Sequence, residues 1–438
     1  MGRLDRAQRN PGPWDRLRVP VNVIVPVYRD LPRTRRCVES VLESLDHRYA
    51  KVILVDDASP EPALSGFCEH LAGAGTVSLL RNERNLGFVA SVNRGMQEDP
   101  DRDVVLLNSD TEVPVGWLER LQRCALQAED IATVTPFSNN ATICSYPLCC
   151  EPSKLPEGVD LAAMDRLFAL ANAGLSVDLP TAVGFCMYIG RRCLSQIGDF
   201  DAERFGLGYG EENDFSLRAR GAGWRNVLCA DLFVYHHGAV SFGTERFDLM
   251  KQGETLLVER YPHYPAQVAR FVMEDPLRVF RDAVDRLRLD MPGQAHLVVG
   301  DLCHSRDKAQ AFARQITDSA ERARLENATL LHEARTAFAR TDEALRNVES
   351  RYEGLLAEAR ADFSRTDEAL RNVESRYEGL LAEARADFSR TDEALSAAQQ
   401  AVAHYEQNLR WAMDELDRIK SSRLWRYSRW LRKLLDNS

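Results

Sequence analysis

Four short apolar runs, at 21–27, 51–55, 77–80 and 104–107, are spaced by stretches whose apolar residues recur every three or four positions. Strand–helix–strand alternation at this pace predicts a mostly parallel sheet with helices on both faces, an α/β fold. The fourth run is four aliphatic residues long and reads as a central strand, buried on both faces. It runs directly into Asn108, Ser109, Asp110 and Glu112. Polar groups at the carboxyl end of a central parallel strand lie where open α/β sheets bind ligands. A hard cation with a diphosphate on its far side would explain such an Asp-centred cluster. A strand leaving the core through a polar turn is the plainer alternative.

The other strand ends are polar as well. The first run closes on Pro26 and Tyr28, and the second on Asp56-Asp57-Ala58-Ser59. Asp and Ser at a strand-to-helix turn can cap the next helix; they can equally accept from the base or ribose of a nucleotide. The segment 84–95 carries Asn85, Gly87, Asn93 and Gly95, glycines that let backbone approach a ligand and amides that donate and accept. Neither the dinucleotide fingerprint nor a phosphate loop ending in Gly-Lys-Ser/Thr is present.

Farther along, Glu211, Glu212 and Asp214 lie within four residues at the start of a helical pattern. Their mutual repulsion raises the pKa of at least one. A raised carboxyl is suited to taking a proton from a hydroxyl, whereas an acidic first turn on the helix dipole is the structural alternative. The stretch 181–189 reads as a strand, and 232–238 as another that ends in His236 and His237.

The series VIVPVY, ILVDDAS, RNLGFVASVNRG and LLNSDTEVPVGWLERL resembles the family 2 inverting glycosyltransferases of the GT-A fold, most closely bacterial rhamnosyltransferase-like members. The resemblance covers about residues 21–243 and implies transfer of a sugar from a nucleotide-diphosphate donor to a hydroxyl, with Mn²⁺ or Mg²⁺ and inversion. It further implies a glycan or lipid-linked acceptor in cell-surface polysaccharide assembly. By the same comparison Pro26, Tyr28, Asp56, Asp57, Asn85, Gly87, Asn93, Asn108, Ser109 and Asp110 hold the donor. Asn108-Ser109-Asp110 falls on the family's Asp-x-Asp motif, with Asn108 where many members carry Asp. Asp110, His236 and then His237 are the implied metal ligands, and Gly184 and Phe185 line the acceptor side. Glu212 is the implied base, with Glu211 and Asp214 supporting it and Arg218 or Arg220 as their partners. Ser241-Phe242-Gly243 is the expected cover over the donor.

The formal charge of -10 and pI near 5.5 argue against a chain built to bind nucleic acid. No apolar run approaches bilayer length, and no signal-type apolar segment follows the Arg-rich start. The ten cysteines show neither a C-x-x-C pair nor a metal-ligand rhythm with histidine. They predict reduced thiols in a cytosolic chain, with Cys149-Cys150 too close to bridge each other without strain.

The expected domains are a basic arm at 1–20, a catalytic domain at 21–265, a helical linker at 266–307, a coiled coil at 308–417 and a basic amphipathic tail at 418–438. A short strand-like run stands at 296–299. Residues 340–364 recur without change as 365–389, and a third copy begins at Arg390. Leu345, Val348, Tyr352, Leu356, Ala359 and Phe363 form one stripe, so the repeat predicts a coiled coil and a homo-oligomer. As one continuous helix it would exceed about 150 Å. Two tryptophans among seven Arg and Lys in the tail suit an anionic membrane surface, and thus the inner face of the cytoplasmic membrane. A cap docking on the stalk or another subunit is the other reading. The repeat also leaves open a non-catalytic scaffold carrying a degenerate sugar-nucleotide domain.

Overall fold

The computed structural model describes residues 19–238, 245–361 and most of 374–400. The arm before residue 19, the turn 241–243 and the tail 418–438 lie outside the described residues. The chain falls into two compact units, Met1–Ser305 and Arg306–Ser438.

The first unit opens with β1 (Val21–Val27), α1 (Leu31–Ser44), β2 (Ala50–Asp56), α2 (Pro62–Gly73), β3 (Ser78–Arg81), α3 (Phe88–Gln97) and β4 (Asp103–Leu107). Local chemistry sets each start. The Asp30 carboxylate accepts from the Arg33 N–H at 3.1 Å and caps α1, and proline stands in the first turn of α1 and α2. Gly95 lets α3 lie directly on β1, because a Cβ there would stand 2.6 Å from Ile24 Cγ2. All three pairings among these four strands are parallel, in the order β3-β2-β1-β4.

The second half brings β5 (Thr111–Glu112), α4 (Trp117–Ala125), β6 (Ile131–Ser138), α5 (Leu161–Ala171), β7 (Ser176–Leu179) and β8 (Cys186–Ile189). After these come α6 (Arg191–Ile197), α7 (Ala202–Phe205), α8 (Glu211–Gly221) and β9 (Arg225–His236). The sheet continues β4-β8-β6-β9-β5, with β7 also on β9. Here it is mixed, since β8 runs antiparallel to both β4 and β6. The mostly parallel sheet expected from sequence therefore holds for the first four strands only. A fully buried run such as Cys186–Ile189 is apolar whichever way it points, so its composition carries no direction. The ladder also starts later than the apolar stretch 181–189. The Ala182 and Val183 N–H groups donate instead to Ser216 Oγ and Thr135 Oγ1.

α9 (Glu245–Arg260), α10 (Tyr264–Glu274), α11 (Arg278–Leu289) and α12 (Ala295–Ala361) complete the described helices. The chain breaks around Pro276 as its sequence predicts, with Asp275 left-handed at the end of α10. The strand-like run at 296–299 is instead the first turn of α12. Its buried neighbours Gln294 and Val298 are four residues apart, which is helical spacing. Residues 266–305 pack on the unit: Leu277 and Val284 are in the core. Arg288, fully buried, donates to the Tyr146 hydroxyl at 2.8 Å and reaches Asp285 and Asp301 at 3.3 and 3.2 Å.

In the second unit, Leu345, Val348 and Tyr352 of α12 are half-buried along one stripe. The Tyr352 ring stacks on that of Tyr377, its copy in the next repeat. A straight helix would hold those rings about 37 Å apart. The two described stretches therefore lie side by side, and one unbroken rod through both repeats is not what the structure describes.

Candidate active site

The carboxyl ends of β1, β2 and β4 and the end of β9 bring the polar tips together. Asp56 and Asp57 are both buried and both fully occupied. Asp56 accepts from the Ser59 N–H, Ser65 Oγ and Arg81 Nε at 2.8, 2.8 and 3.1 Å. Asp57 accepts from Asn82 Nδ2 and from the N–H groups of Leu86 and Gly87 at 2.7, 2.8 and 2.9 Å. It thereby shapes the loop that carries Asn85, whose own Oδ1 accepts from the Gly87 N–H at 3.0 Å. Gly87 has φ +87°, and a Cβ there would lie 2.7 Å from Leu207 Cα, so this loop and the glycine turn 206–208 need a bare backbone to meet. Asn93 spends its amide on both backbone groups of Phe200, at 2.8 and 3.1 Å. Pro26 and Tyr28, at the end of β1, are half-buried.

Asn108 and Ser109 make the turn after β4, and Asn108 contributes its backbone: its N–H donates to the Phe185 carbonyl at 2.9 Å. Asp110 turns inward and faces His236, with Oδ1 3.3 Å from Nε2. Burial alone would raise the Asp110 carboxyl, but the His236 contact outweighs it and holds the group below its usual range. His236 is set from three sides. Its Nδ1 lies 2.6 Å from the Asn140 carbonyl, which can only accept, so Nδ1 carries the proton. Its ring stacks on Phe185, centroids 5.2 Å apart. Its backbone N–H and carbonyl are both bound by the Asn139 side chain, at 2.8 and 3.0 Å. In the neutral ring Nε2 then presents a lone pair to a carboxylate oxygen. Two acceptors at that distance need a cation between them, or a second proton on the ring.

His237 points elsewhere. Its Nε2 lies 2.6 Å from Glu112 Oε1, and its ring stands edge-on to Tyr235. Adjacent residues on a strand alternate faces, so both histidines cannot reach one centre.

α8 begins at Gly210, with φ +101°. Glu211 and Glu212 follow, each with Oε2 buried and lacking a hydrogen-bond partner. Burial pushes Glu211 well above the usual carboxylate range, and the Glu212 charge adds to it; burial raises Glu212 also. Glu212 lies against Gly184, where an added Cβ would sit 3.6 Å from its Cγ. Burial, with the Glu212 charge adding, likewise pushes Tyr264 up to about 12. Asp214 belongs to the scaffold: it is buried and binds Arg218, Arg260 and the Tyr261 hydroxyl at 2.7, 2.9 and 3.0 Å. Arg220 donates to the Pro180 carbonyl rather than to any of the three acids named here.

Two neighbouring residues join these halves. Gly184 touches Glu212, while Phe185 holds Asn108 through its carbonyl and His236 through its ring. The acids at 110 and 212 therefore flank one dipeptide. Sequence reasoning placed both, but missed Asn139 and Asn140. The Asn-Asn pair just past the apolar run of β6 was the available signal.

Among the described residues no group of three or more His, Cys, Asp or Glu could hold a metal ion. Asp110 and His236 offer two donors of opposite hardness. That suits a divalent cation whose remaining ligands come from substrate phosphate and water.

Comparison with known proteins bears on the front half of the unit. Residues 22–167 match Glycosyl transferase family 2. An undecaprenyl-phosphate 4-deoxy-4-formamido-L-arabinose transferase of Pseudomonas syringae pv. syringae (strain B728a) is 32% identical over 117 residues, 25% of this chain and 34% of that protein. Its counterpart in Pseudomonas savastanoi pv. phaseolicola (strain 1448A / Race 6) is 29% identical over the same length, again 34% of that protein. The chain thus spans about a third of the curated relatives it matches. Among solved structures, the mannosyltransferase PcManGT from Pyrobaculum calidifontis in complex with GDP-Man and Mn²⁺ has 16% identity and a TM-score of 0.43, covering 67% of this chain and 84% of that one. GalNAc-T7 with UDP, GalNAc and Mn²⁺ has 15% identity and a TM-score of 0.42, covering 59% and 58%. The stretch from β1 into α5, with Asp110 inside it, is similar to Glycosyl transferase family 2, and the match ends before Gly184, Glu212 and His236.

Proposed function

We propose that this chain is a glycosyltransferase that moves a sugar from a nucleotide-diphosphate donor to a hydroxyl or phosphate oxygen of a glycan or lipid-linked acceptor, with inversion. The observation that carries the reading is the Gly184-Phe185 dipeptide, with Glu212 on one side and the Asp110–His236 pair on the other. Asp110 and His236 would hold Mn²⁺ or Mg²⁺, which supplies Lewis-acid neutralisation of the leaving diphosphate. Asn140 fixes the ring so that Nε2 stays available, and Asp57 shapes the 85–87 loop on the donor side. Glu212 takes the acceptor proton on its unpartnered Oε2, and its raised pKa brings its basicity nearer to that of the group it serves. The relatives' printed name, an undecaprenyl-phosphate transferase, supports a lipid-linked acceptor in cell-surface polysaccharide assembly. The repeat supports self-association through the second unit, and the basic tail supports contact with the membrane surface.

The test is transfer or donor hydrolysis by the purified full chain against a panel of UDP-, dTDP- and GDP-sugars, with and without Mn²⁺. Glu212→Gln is expected to cut turnover by about 100-fold or more, with donor binding kept. Asp110→Asn is expected to raise the metal concentration needed. Near-wild-type turnover in Glu212→Gln would remove the assignment.

A further inference from the structure

Cys149 and Cys150 stand away from the donor and acceptor residues, on the loop between β6 and α5. Seven of the ten cysteines are buried, and only Cys149, Cys150 and Cys303 reach the surface to any extent. Side chains of consecutive residues normally diverge. Here Cys150 is left-handed, with φ +61°, its N–H bonded to the Thr142 carbonyl at 2.9 Å. That turn brings the two Sγ atoms to 3.5 Å. The adjacent Cα atoms are held about 3.8 Å apart by a trans peptide, short of the roughly 4.4–6.8 Å of ordinary disulfides. A direct S–S bond is therefore disfavoured. One interposed soft atom is not. With metal–sulfur bonds of about 2.3 Å, two legs at roughly 100° span about 3.5 Å.

A second observation points the same way. Arg281 of α11 is buried, and its Nη1 has no hydrogen-bond partner while Nη2 is paired with Asp275. Burial raises the Cys144 thiol, and the Cys150 contact followed by burial raises that of Cys149; the Arg281 charge opposes both, in the direction that favours thiolate. Among the described residues no third ligand completes a metal group there, which excludes four-coordinate zinc held by the chain alone.

We propose that Cys149 and Cys150 form a two-thiolate site for a soft, low-coordinate thiophilic centre, a cuprous ion or trivalent arsenic. Each thiol gives up one proton and neither sulfur changes oxidation state. With an aryl arsenoxide, two thiols become a cyclic dithioarsenite and one water leaves. With Cu⁺, two protons leave and the bis-thiolate complex carries one negative charge beside Arg281. Softness matches thiolate to both.

The full chain is treated with phenylarsine oxide, then with iodoacetamide, and the cysteine peptides are weighed. One phenylarsenic per chain is expected, with Cys149 and Cys150 protected, Cys303 alkylated, and release by a dithiol but not a monothiol. Cu⁺ in competition with a chelator is expected to protect the same pair. Cys149→Ser and Cys150→Ser each should abolish both effects, and Cys303→Ser should leave them. Arg281→Lys keeps the charge and should retain cuprous binding, whereas Arg281→Gln should weaken cuprous binding at least tenfold more than arsenical binding. Unchanged alkylation of the pair in the presence of both probes would overturn the proposal. So would equal arsenical uptake by the doubly substituted chain. Protection by the arsenical alone would remove the cuprous assignment. Neither reading depends on sugar transfer.

Discussion

Replacing Glu211 by Gln separates the two adjacent buried carboxyls. Glu211 is 4% exposed, with one oxygen lacking a partner, and its pKa is raised by burial and then by the Glu212 charge. In the unfolded chain it ionises near the ordinary carboxylate value. Between that value and its raised folded value, the folded chain keeps a proton that the unfolded chain has lost. The stability this carboxyl contributes is whole below the unfolded pKa and drains away as pH rises, by about 1.36 kcal/mol for each pH unit. From pH 5 to pH 7 that is roughly 2.7 kcal/mol, a loss that the Glu211→Gln chain would escape. At about 2–4 °C per kcal/mol for a unit of this size, the melting difference between Glu211→Gln and wild type should grow by roughly 5–11 °C across the interval. Thermal unfolding in matched buffers reads it directly. The activity profile adds a sharper condition. Glu211 is the carboxyl held highest, so it is still neutral while Glu212 loses its proton. The acid limb of kcat/KM should stay where it is in Glu211→Gln. A melting difference that does not change with pH refutes the account, and so does an acid limb that moves by more than about half a unit.

Three further perturbations test the frame around the site. Gly87→Ala adds a Cβ 2.7 Å from Leu207 Cα at φ +87°; it should cost about 1–3 kcal/mol and weaken donor binding, measured by denaturant titration and donor KM. Asn139→Ala strands the His236 N–H and carbonyl; a loss of about 2–3 kcal/mol should come with a higher metal requirement, and unchanged metal titration would contradict the positioning role. Arg288→Met leaves Asp285 without its cation. Asp285 is already raised to about 6 by burial, so the loss of about 3–5 kcal/mol should be larger at pH 8 than at pH 5, as seen in paired melts.

The front of the fold was legible because buried parallel strands write themselves as aliphatic runs, and β1 to β4 each follow one. The direction of β8 was not, because burial on both faces leaves no alternation to read. At the site, Asp110, Glu212 and His236 were found from acidic and imidazole groups at strand and helix ends. Asp56 and Asp57 were read as either capping residues or base contacts. The structure occupies both with scaffold bonds: Asp56 takes the Ser59 N–H and Asp57 takes the 86–87 backbone. Asn93 was legible as a polar group on a ligand-facing segment, but its partner Phe200 lies 107 positions away. No local pattern announces such a pairing. Asn139 escaped for the same reason, since its partner is 97 positions downstream.

Asn139 has a further consequence for the connection between β6 and α5. Its side-chain amide takes the place of a neighbouring strand beside His236, and it also donates to the Ser153 carbonyl at 2.8 Å. The insert between those two positions is thereby pinched at its base by one residue. An insert closed in that way can be lengthened, exchanged or recoded at its tip while the imidazole stays in place. Acceptor preference could diversify there without renegotiating the donor half of the enzyme.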